Sequence, residues 1–331
     1  MAEANGYQSI HHSGFSRIVV PTTIGTSSRV ILKVILSLTV NKNVQGDLEQ
    51  MPLKILVPTD FSDKSDYALE LALKFKQVRN TEVHVLNVIN APSEAVFDAE
   101  GNIMEDSAID LSVIEEARSR NEEQLENWHS SHNHELLKVV RIGHFTKDIM
   151  NYIDEEEVDL IIMGTHGASG MTEMIMGSHA VSVVRQSPVP VLTLKCDRSD
   201  LAIKHILLTS DFSSEEPENI DLVLDLQKTF NATLHLLTIN TPKKLQAHPE
   251  IEHYMNHFIQ KHDINNAEKH IYDDPSVEEG VLHFAGDYNM DLIAIGTHGR
   301  TGIGHLLKGS ISEDIVNHLH KPILTFRISS S

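Results

Sequence analysis

One pattern constrains this chain more than any other, because it occurs twice. Gly164-Thr165-His166-Gly167, nine residues and Gly177-Ser178 are matched by Gly296-Thr297-His298-Gly299, nine residues and Gly309-Ser310. Each copy follows a short apolar run, Asp159-Leu160-Ile161-Ile162-Met163 or Asp291-Leu292-Ile293-Ala294-Ile295, and precedes a second one containing Pro190 or Pro322. A single glycine pattern is weak evidence. Two copies with equal internal spacing and equal flanks imply duplication of a whole domain together with its loop.

The repeat extends upstream. Lys54-Ile55-Leu56-Val57-Pro58-Thr59-Asp60-Phe61-Ser62 aligns with His205-Ile206-Leu207-Leu208-Thr209-Ser210-Asp211-Phe212-Ser213. Both read as a buried strand ending in Asp, followed by a Ser that caps a helix. Helices are expected over 63–79 and 215–230, with Tyr67, Leu71 and Phe75 at helical spacing in the first. Second strands follow at Val83 to Ile89 and Leu234 to Ile239. Third strands are expected near 136–142 and 268–272, and further helices near 146–156 and 276–288. Helices from Ser178 and Ser310 lead to the fifth strands. Each half therefore alternates strand and helix, and continuous apolar strands of this kind imply a parallel sheet covered on both faces. The boundary falls near Cys196 to Asp200, so the expected domains are 52–196 and 201–328. The linker is short enough to keep them packed together.

With 331 residues the chain is long enough for two such domains. A formal net charge of -20 argues against non-specific nucleic-acid binding and against docking on an anionic membrane. The single cysteine, Cys196, excludes an internal disulfide and fits a cytoplasmic protein. Residues 1–50 carry four basic and three acidic side chains and lack the acidity of the rest. Their apolar stretch, Val30 to Val40, is interrupted by Lys33 and is shorter than the roughly 20 residues of a membrane span. Residues 1–51 read as an extension, disordered or not native, and a chain begun at Met51 is expected to keep its fold.

In an open parallel sheet, ligands sit beyond the carboxyl ends of the strands where strand order reverses. Here one such strand ends in Asp60 or Asp211, and another in the glycine loop. Glycines let backbone N–H groups approach phosphate oxygens, and a helix N-terminus favours an anion. The hydroxyls of Ser178 and Ser310 add a donor, and the Asp accepts a bond from ribose or base. The parts suit a nucleotide, without being a Walker motif or a Rossmann fingerprint. The alternative is that the glycines only make a tight strand-to-helix turn.

These residues resemble the universal stress protein family. Gly-x-x-Gly, nine residues, Gly-Ser/Thr is that family's ATP-binding signature, and Pro58 to Ser62 and Thr209 to Ser213 look like its usual first-strand ending. The resemblance covers about residues 52–328 and implies a tandem member. It implies two open five-stranded parallel sheets of order 3-2-1-4-5, α/β in class with helices on both faces, meeting along their fifth strands as an internal pseudo-dimer. Further self-association is left open. It also implies ATP as the ligand, with Mg2+ as an optional companion. By position, Asp60 and Asp211 would contact the nucleoside. Val88 and Ile239 would contact adenine through the backbone. Gly164, Gly167, Gly177 and Ser178 would hold ribose and phosphates in the first half, as would Gly296, Gly299, Gly309 and Ser310 in the second. The family often has a basic residue after the second glycine. Arg300 supplies it, whereas Ala168 departs from the pattern.

Other candidates are weaker. His129, His132 and His134 form a cluster that reads as a solvated turn rather than a zinc site. His166 and His298 lie inside the glycine loops, where they would either bond a phosphate or brace the loop, with bracing the favoured role. His84 and His235 lie within strands and are expected in the core or against a helix. No Ser-His-Asp or Cys-His arrangement can be placed, so neither a catalytic residue nor a metal ligand is assigned. Three functions compete: an ATP-binding stress-response sensor or signalling module, a weak ATPase or nucleotidyl-transfer enzyme using the same pocket, and a scaffold with vestigial sites. The missing Walker lysine disfavours the enzyme.

Overall fold

A strand that is apolar on both faces has to be covered on both, and the chain does this twice, at Leu53–Thr59 and His205–Thr209. The structure, a computed structural model, describes residues 7–8, 20–21, 52–91, 111–128, 135–165, 177–194, 202–212, 220–297 and 321–327. The chain divides into two compact units, Met1–Gln50 and Met51–Ser331. In the smaller unit, β1 (Tyr7–Gln8) pairs antiparallel with β2 (Val20–Pro21). Val30 to Val40 and most of the remaining extension lie outside the described residues.

The larger unit opens with β3 (Leu53–Thr59), α1 (Asp63–Val78) and β4 (Thr81–Asn90). It continues through α2 (Leu111–Asn127), β5 (Leu136–Gly143), α3 (Phe145–Glu156), β6 (Leu160–Gly164), α4 (Ser178–Gln186) and β7 (Val191–Leu194). The second half repeats this with β8 (His205–Thr209), α5 (Ile220–Phe230), β9 (Thr233–Asn240), α6 (His248–Lys261), β10 (Ala267–Asp273), α7 (Val277–Asp287), β11 (Leu292–Thr297) and β12 (Ile323–Arg327).

Within each half the strands are parallel and run in the order third, second, first, fourth, fifth. The expectation of two sheets needs one correction. The fifth strands β7 and β12 pair antiparallel, Leu192 opposite Leu324, so the halves share a single ten-stranded sheet. The physical reason is that both fifth strands are short, apolar and otherwise unpaired on one edge, and pairing satisfies both edges at once. Thr193 Oγ1 donates to the Ile323 carbonyl at 3.3 Å, and Thr325 Oγ1 to the Val191 carbonyl at 3.2 Å.

The two faces of this sheet are packed differently. On one face a single core runs through both halves, from Ile55, Leu71 and Phe75 to Leu226, Leu236 and Phe326. Phe75 of α1 meets Phe230 of α5 edge-on, with ring centroids 5.3 Å apart. Burying a phenylalanine of this kind is worth about 1.5–3 kcal/mol. Arg79 and Asp225 form an ion pair across the same junction. Burial of the Arg79 guanidinium lowers its pKa, opposed by the charge of Asp159. On the opposite face each half keeps its own cluster. Leu56, Ile149 and Val183 belong to one, and Leu207, Val281 and Phe284 to the other. That face carries α3 and α4 in the first half and α7 in the second.

Candidate functional site

The strand order places the carboxyl ends of β3 and β6 side by side, and likewise β8 and β11. Asp60 follows β3 and Asp211 follows β8, each next to a strand that leads into a glycine loop. Both aspartates precede a phenylalanine in the left-handed region, Phe61 at φ 62° and Phe212 at φ 54°. A bulky residue rarely adopts this conformation, and it persists only where its surroundings fix it. They do so here in parallel. The Phe61 N–H donates to Thr59 Oγ1 at 3.0 Å, and the Phe212 N–H to Ser210 Oγ at 3.2 Å. The rings pack inward, Phe61 edge-on to Trp128 and Phe212 against Phe258. The turn thereby packs its half-buried phenylalanine against the core and presents its aspartate: Asp60 is exposed and Asp211 half-buried.

A second bond recurs between the first two strands of each half. Asn87 Nδ2 donates to the Thr59 carbonyl at 2.9 Å, and Thr238 Oγ1 to the Ser210 carbonyl at 2.9 Å. Different residues at equivalent positions thus hold the same strand end.

Around the aspartates the halves differ. Asp60 Oδ1 accepts from Ser62 Oγ at 2.6 Å, from Ser65 Oγ at 2.8 Å and from the Ser62 N–H at 3.2 Å. The carboxylate is thus held at the start of α1, where the helix dipole favours negative charge. This corrects the expected role of Ser62. It occupies the cap position of α1, yet its side chain makes no cap bond and turns to Asp60 instead. The nearby carboxylate is the stronger acceptor. Asp211 Oδ2 accepts instead from Lys244 Nζ at 2.6 Å, an exposed ion pair to the turn after β9.

Of the predicted glycines in the first half, Gly164 ends β6, and a Cβ there would lie 2.5 Å from the Lys64 Cβ and 3.1 Å from its carbonyl. Glycine is required at that point for the close approach of α1, whatever else it does. Gly177 caps α4, its N–H donating to the Thr165 carbonyl at 2.6 Å, and Ser178 opens the helix with an exposed side chain. Val88 lies two residues before the end of β4, opposite Arg141, and Ile239 one residue before the end of β9, opposite Tyr272. Gly296 lies in β11 opposite Phe326. The site in each half is thus approached by Asp60, Val88, Gly164, Gly177 and Ser178, or by Asp211, Ile239 and Gly296. Gly167, Gly299, Arg300, Gly309 and Ser310 lie outside the described residues, as do His166, His298 and the cluster of His129, His132 and His134.

A cleft of about 520 Å³ opens at the same end of the first half, between the end of β4, the start of α3 and α4. Asn90, His144, Phe145 and His179 are among its walls, with the Phe145 and His179 rings stacked at 4.4 Å. None of the described nucleotide candidates lines it. Lys244 is the residue at this end that sequence reasoning did not find. Its lysine type gave a weak signal, but its partner lies 33 positions away.

The strand histidines are buried, as expected. His84 is closed off by Tyr152 Oη at 2.8 Å and Glu82 Oε1 at 2.7 Å. Burial, then the charge of Glu156, pushes the Tyr152 hydroxyl up to about 12. His235, at the equivalent position, instead joins two other imidazoles. Its Nε2 lies 3.0 Å from His205 Nδ1, and its Nδ1 lies 3.0 Å from His270 Nε2. Burial lowers the pKa of both His235 and His270, partly offset by the charge of Glu268.

A doubly wound α/β sheet whose two halves present an aspartate and a glycine-loop strand at their carboxyl ends defines a tandem α/β protein. The universal stress protein family profile matches residues 51–195 and again 202–327, and the chain belongs to that family. It is 32% identical over 154 residues to universal stress protein MJ0577 of Methanocaldococcus jannaschii, an alignment covering 43% of this chain and 94% of the relative. It is 22% identical over 306 residues to the universal stress protein E homolog of Haemophilus influenzae, covering 83% and 97%. A universal stress protein structure from Archaeoglobus fulgidus superposes with a TM-score of 0.62 at 21% identity, covering 84% of this chain and 99% of that one, which supports the fold. Among the described residues no helix is long and apolar enough to cross a membrane.

Proposed function

We propose that this chain is a cytoplasmic ATP-binding stress-response protein that acts as a sensor or signalling module rather than a rapid catalyst. The observation that carries the reading is the duplicated strand ending. Asp60 and Asp211 each stand at the end of the central strand of their half, on a turn fixed by a left-handed phenylalanine. Each lies beside the strand that enters a glycine loop. Conformational strain at the same place in both copies is expected where a ligand group must be presented. The family resemblance supplies the ligand class: adenine held near Val88 or Ile239, ribose near the aspartate, and phosphates on the glycine loop and the helix that follows it. Mg2+ would accompany the phosphates.

The test uses the full chain. Freshly purified protein is heat-denatured and the released adenine nucleotide is quantified, and ATP is then titrated into nucleotide-free protein and into Asp60→Ala and Asp211→Ala variants. Release of nucleotide and weakened binding in the variants support the reading. Absence of both release and binding defeats it and leaves the scaffold role. A steady-state turnover assay on the ATP-bound protein separates a binding module from a weak ATPase.

A further inference from the structure

The three histidines around His235 come from three adjacent strands. His205 opens β8, His235 is the third residue of β9, and His270 is the fourth of β10. Glu268 lies directly across from His235 in the β9–β10 register. His235 Nδ1, His270 Nε2 and Glu268 Oε2 are mutually close, at 3.0, 3.5 and 3.7 Å. A tetrahedral ion with bonds of about 2.0–2.2 Å to nitrogen and oxygen needs its ligand atoms about 3.3–3.6 Å apart. The observed spacings bracket that value. His235 is only 6% exposed at its side chain and His270 18%, whereas Glu268 is 59% exposed. The set is therefore anchored on the sheet and open to solvent on the glutamate side.

We propose that His235 Nδ1, His270 Nε2 and the Glu268 carboxylate form a binding site for a divalent transition-metal ion of the zinc type, with water completing the coordination. Two imidazoles and one carboxylate suit such an ion better than Mg2+ or Ca2+, which prefer all-oxygen shells. His205 acts as a positioning residue. When its Nδ1 accepts a hydrogen bond from the His235 Nε2–H, the His235 Nδ1 lone pair is left for the metal, the role outer partners play in metal sites.

Metal entry displaces the hydrogen bond between His235 and His270. The proton on His270 Nε2 moves to the other ring nitrogen, and the two rings, now 20° from parallel, tilt until their lone pairs converge. Burial disfavours the cationic form of both imidazoles, and the neutral form is the one that binds metal. Coordination would staple β9 to β10.

The duplication provides an internal contrast. By strand register, the first half has Lys54, His84, Leu137 and Val139 where the second has His205, His235, Glu268 and His270. Only the histidine on the second strand is common to both. The metal set is thus absent from the repeated framework and lies in the amino half to middle of its strands, whereas Asp211 follows the carboxyl end of β8. It is independent of the nucleotide reading.

The experiment is a Zn2+ titration of the full chain by calorimetry, with Co2+ absorption as a probe of coordination. The wild type is expected to bind one Zn2+ at this site. His270→Gln and Glu268→Gln, whose side chains reach solvent, should each weaken that binding by tenfold or more while leaving far-ultraviolet circular dichroism unchanged. His205→Gln should weaken it about 10–100-fold. A His129→Gln/His132→Gln/His134→Gln triple variant should keep the site. The proposal is overturned if the wild type binds no Zn2+ or if His270→Gln and Glu268→Gln bind as the wild type does. Loss of the site in the triple variant, with retention in the others, also overturns it.

Discussion

The two halves of this chain have the same topology and different polar chemistry. In the first, Asp60 is held by Ser62 and Ser65 of its own helix, and His84 is sealed between Tyr152 and Glu82. In the second, Asp211 pairs with Lys244 from a different loop, and His235 sits in the middle of a row of three imidazoles. What was kept through duplication is geometric: strand order, left-handed phenylalanines, and a side-chain bond from the second strand to the carbonyl before the aspartate. What diverged is the set of partners that each polar group uses. A duplicated fold therefore tolerates change in polar contacts more readily than change in backbone path. At the aspartates the contrast is one of reach: Asp60 is held by residues two and five positions away, and Asp211 by one 33 positions away.

The largest expected effect tests the backbone side of this comparison. Gly164→Ala would put a methyl against Lys64, and overpacking of this kind costs about 1–3 kcal/mol. Chemical denaturation should show that loss. A variant as stable as the wild type would mean that α1 moves freely away from β6.

Next comes the difference in ligand affinity. The nine residues from Arg300 to Lys308 contain Arg300, His305 and Lys308 and no acid, whereas those from Ala168 to Met176 contain Glu173 and no base. Exposed charge contacts of about 0.2–1 kcal/mol each add up to a roughly tenfold preference of ATP for the second half. Gly309→Val should abolish most high-affinity binding and Gly177→Val should spare most of it. Titrations giving equal losses, or the reverse order, would assign affinity to backbone geometry instead.

A pH difference should follow. The folded pKa of His235 and of His270 lies below the ordinary 6.5, because burial disfavours the cation; Glu268 opposes this at both, and His270 and His205 add to it at His235. The unfolded chain therefore binds more protons below about pH 6.5. Stability from these groups is present above that pH and is lost as pH falls toward the folded values. Denaturation midpoints measured between pH 7 and 5.5 should drop less in His270→Gln than in the wild type. An identical drop would remove this pair as a source of acid sensitivity.

The smallest effect concerns Lys244. ATP must share or displace its pairing with Asp211, an exposed contact worth at most about 1 kcal/mol. Lys244→Gln should tighten ATP binding at the second site by less than about sixfold. Weaker binding would show that this lysine contacts the phosphates.

Much of this was legible in the sequence. The runs ending in Asp60 and Asp211 marked the first strand of each half, because short, nearly continuous apolar runs of this kind suit a strand covered on both faces, and the family resemblance put those strands at the centre. The limits of α1, α3 and α7 followed from spacing to within a residue or two. Partner choice was not legible. Ser62 carries a cap signature, but a carboxylate two residues earlier competes for its hydroxyl. His205, His235 and His270 are 30 and 35 positions apart, so only strand register brings them together.

The antiparallel seam between β7 and β12 has a consequence for how this protein could report on what it binds. Strands on either side of the seam run in opposite directions, so their carboxyl ends, with Asp60 and Asp211, face opposite edges of one rigid sheet. Under the proposed function, nucleotides at Asp60 and Asp211 would lie on opposite edges, and a small partner docked over one site would leave the other open. One molecule could then serve two readers, each responding to the occupancy on its own side.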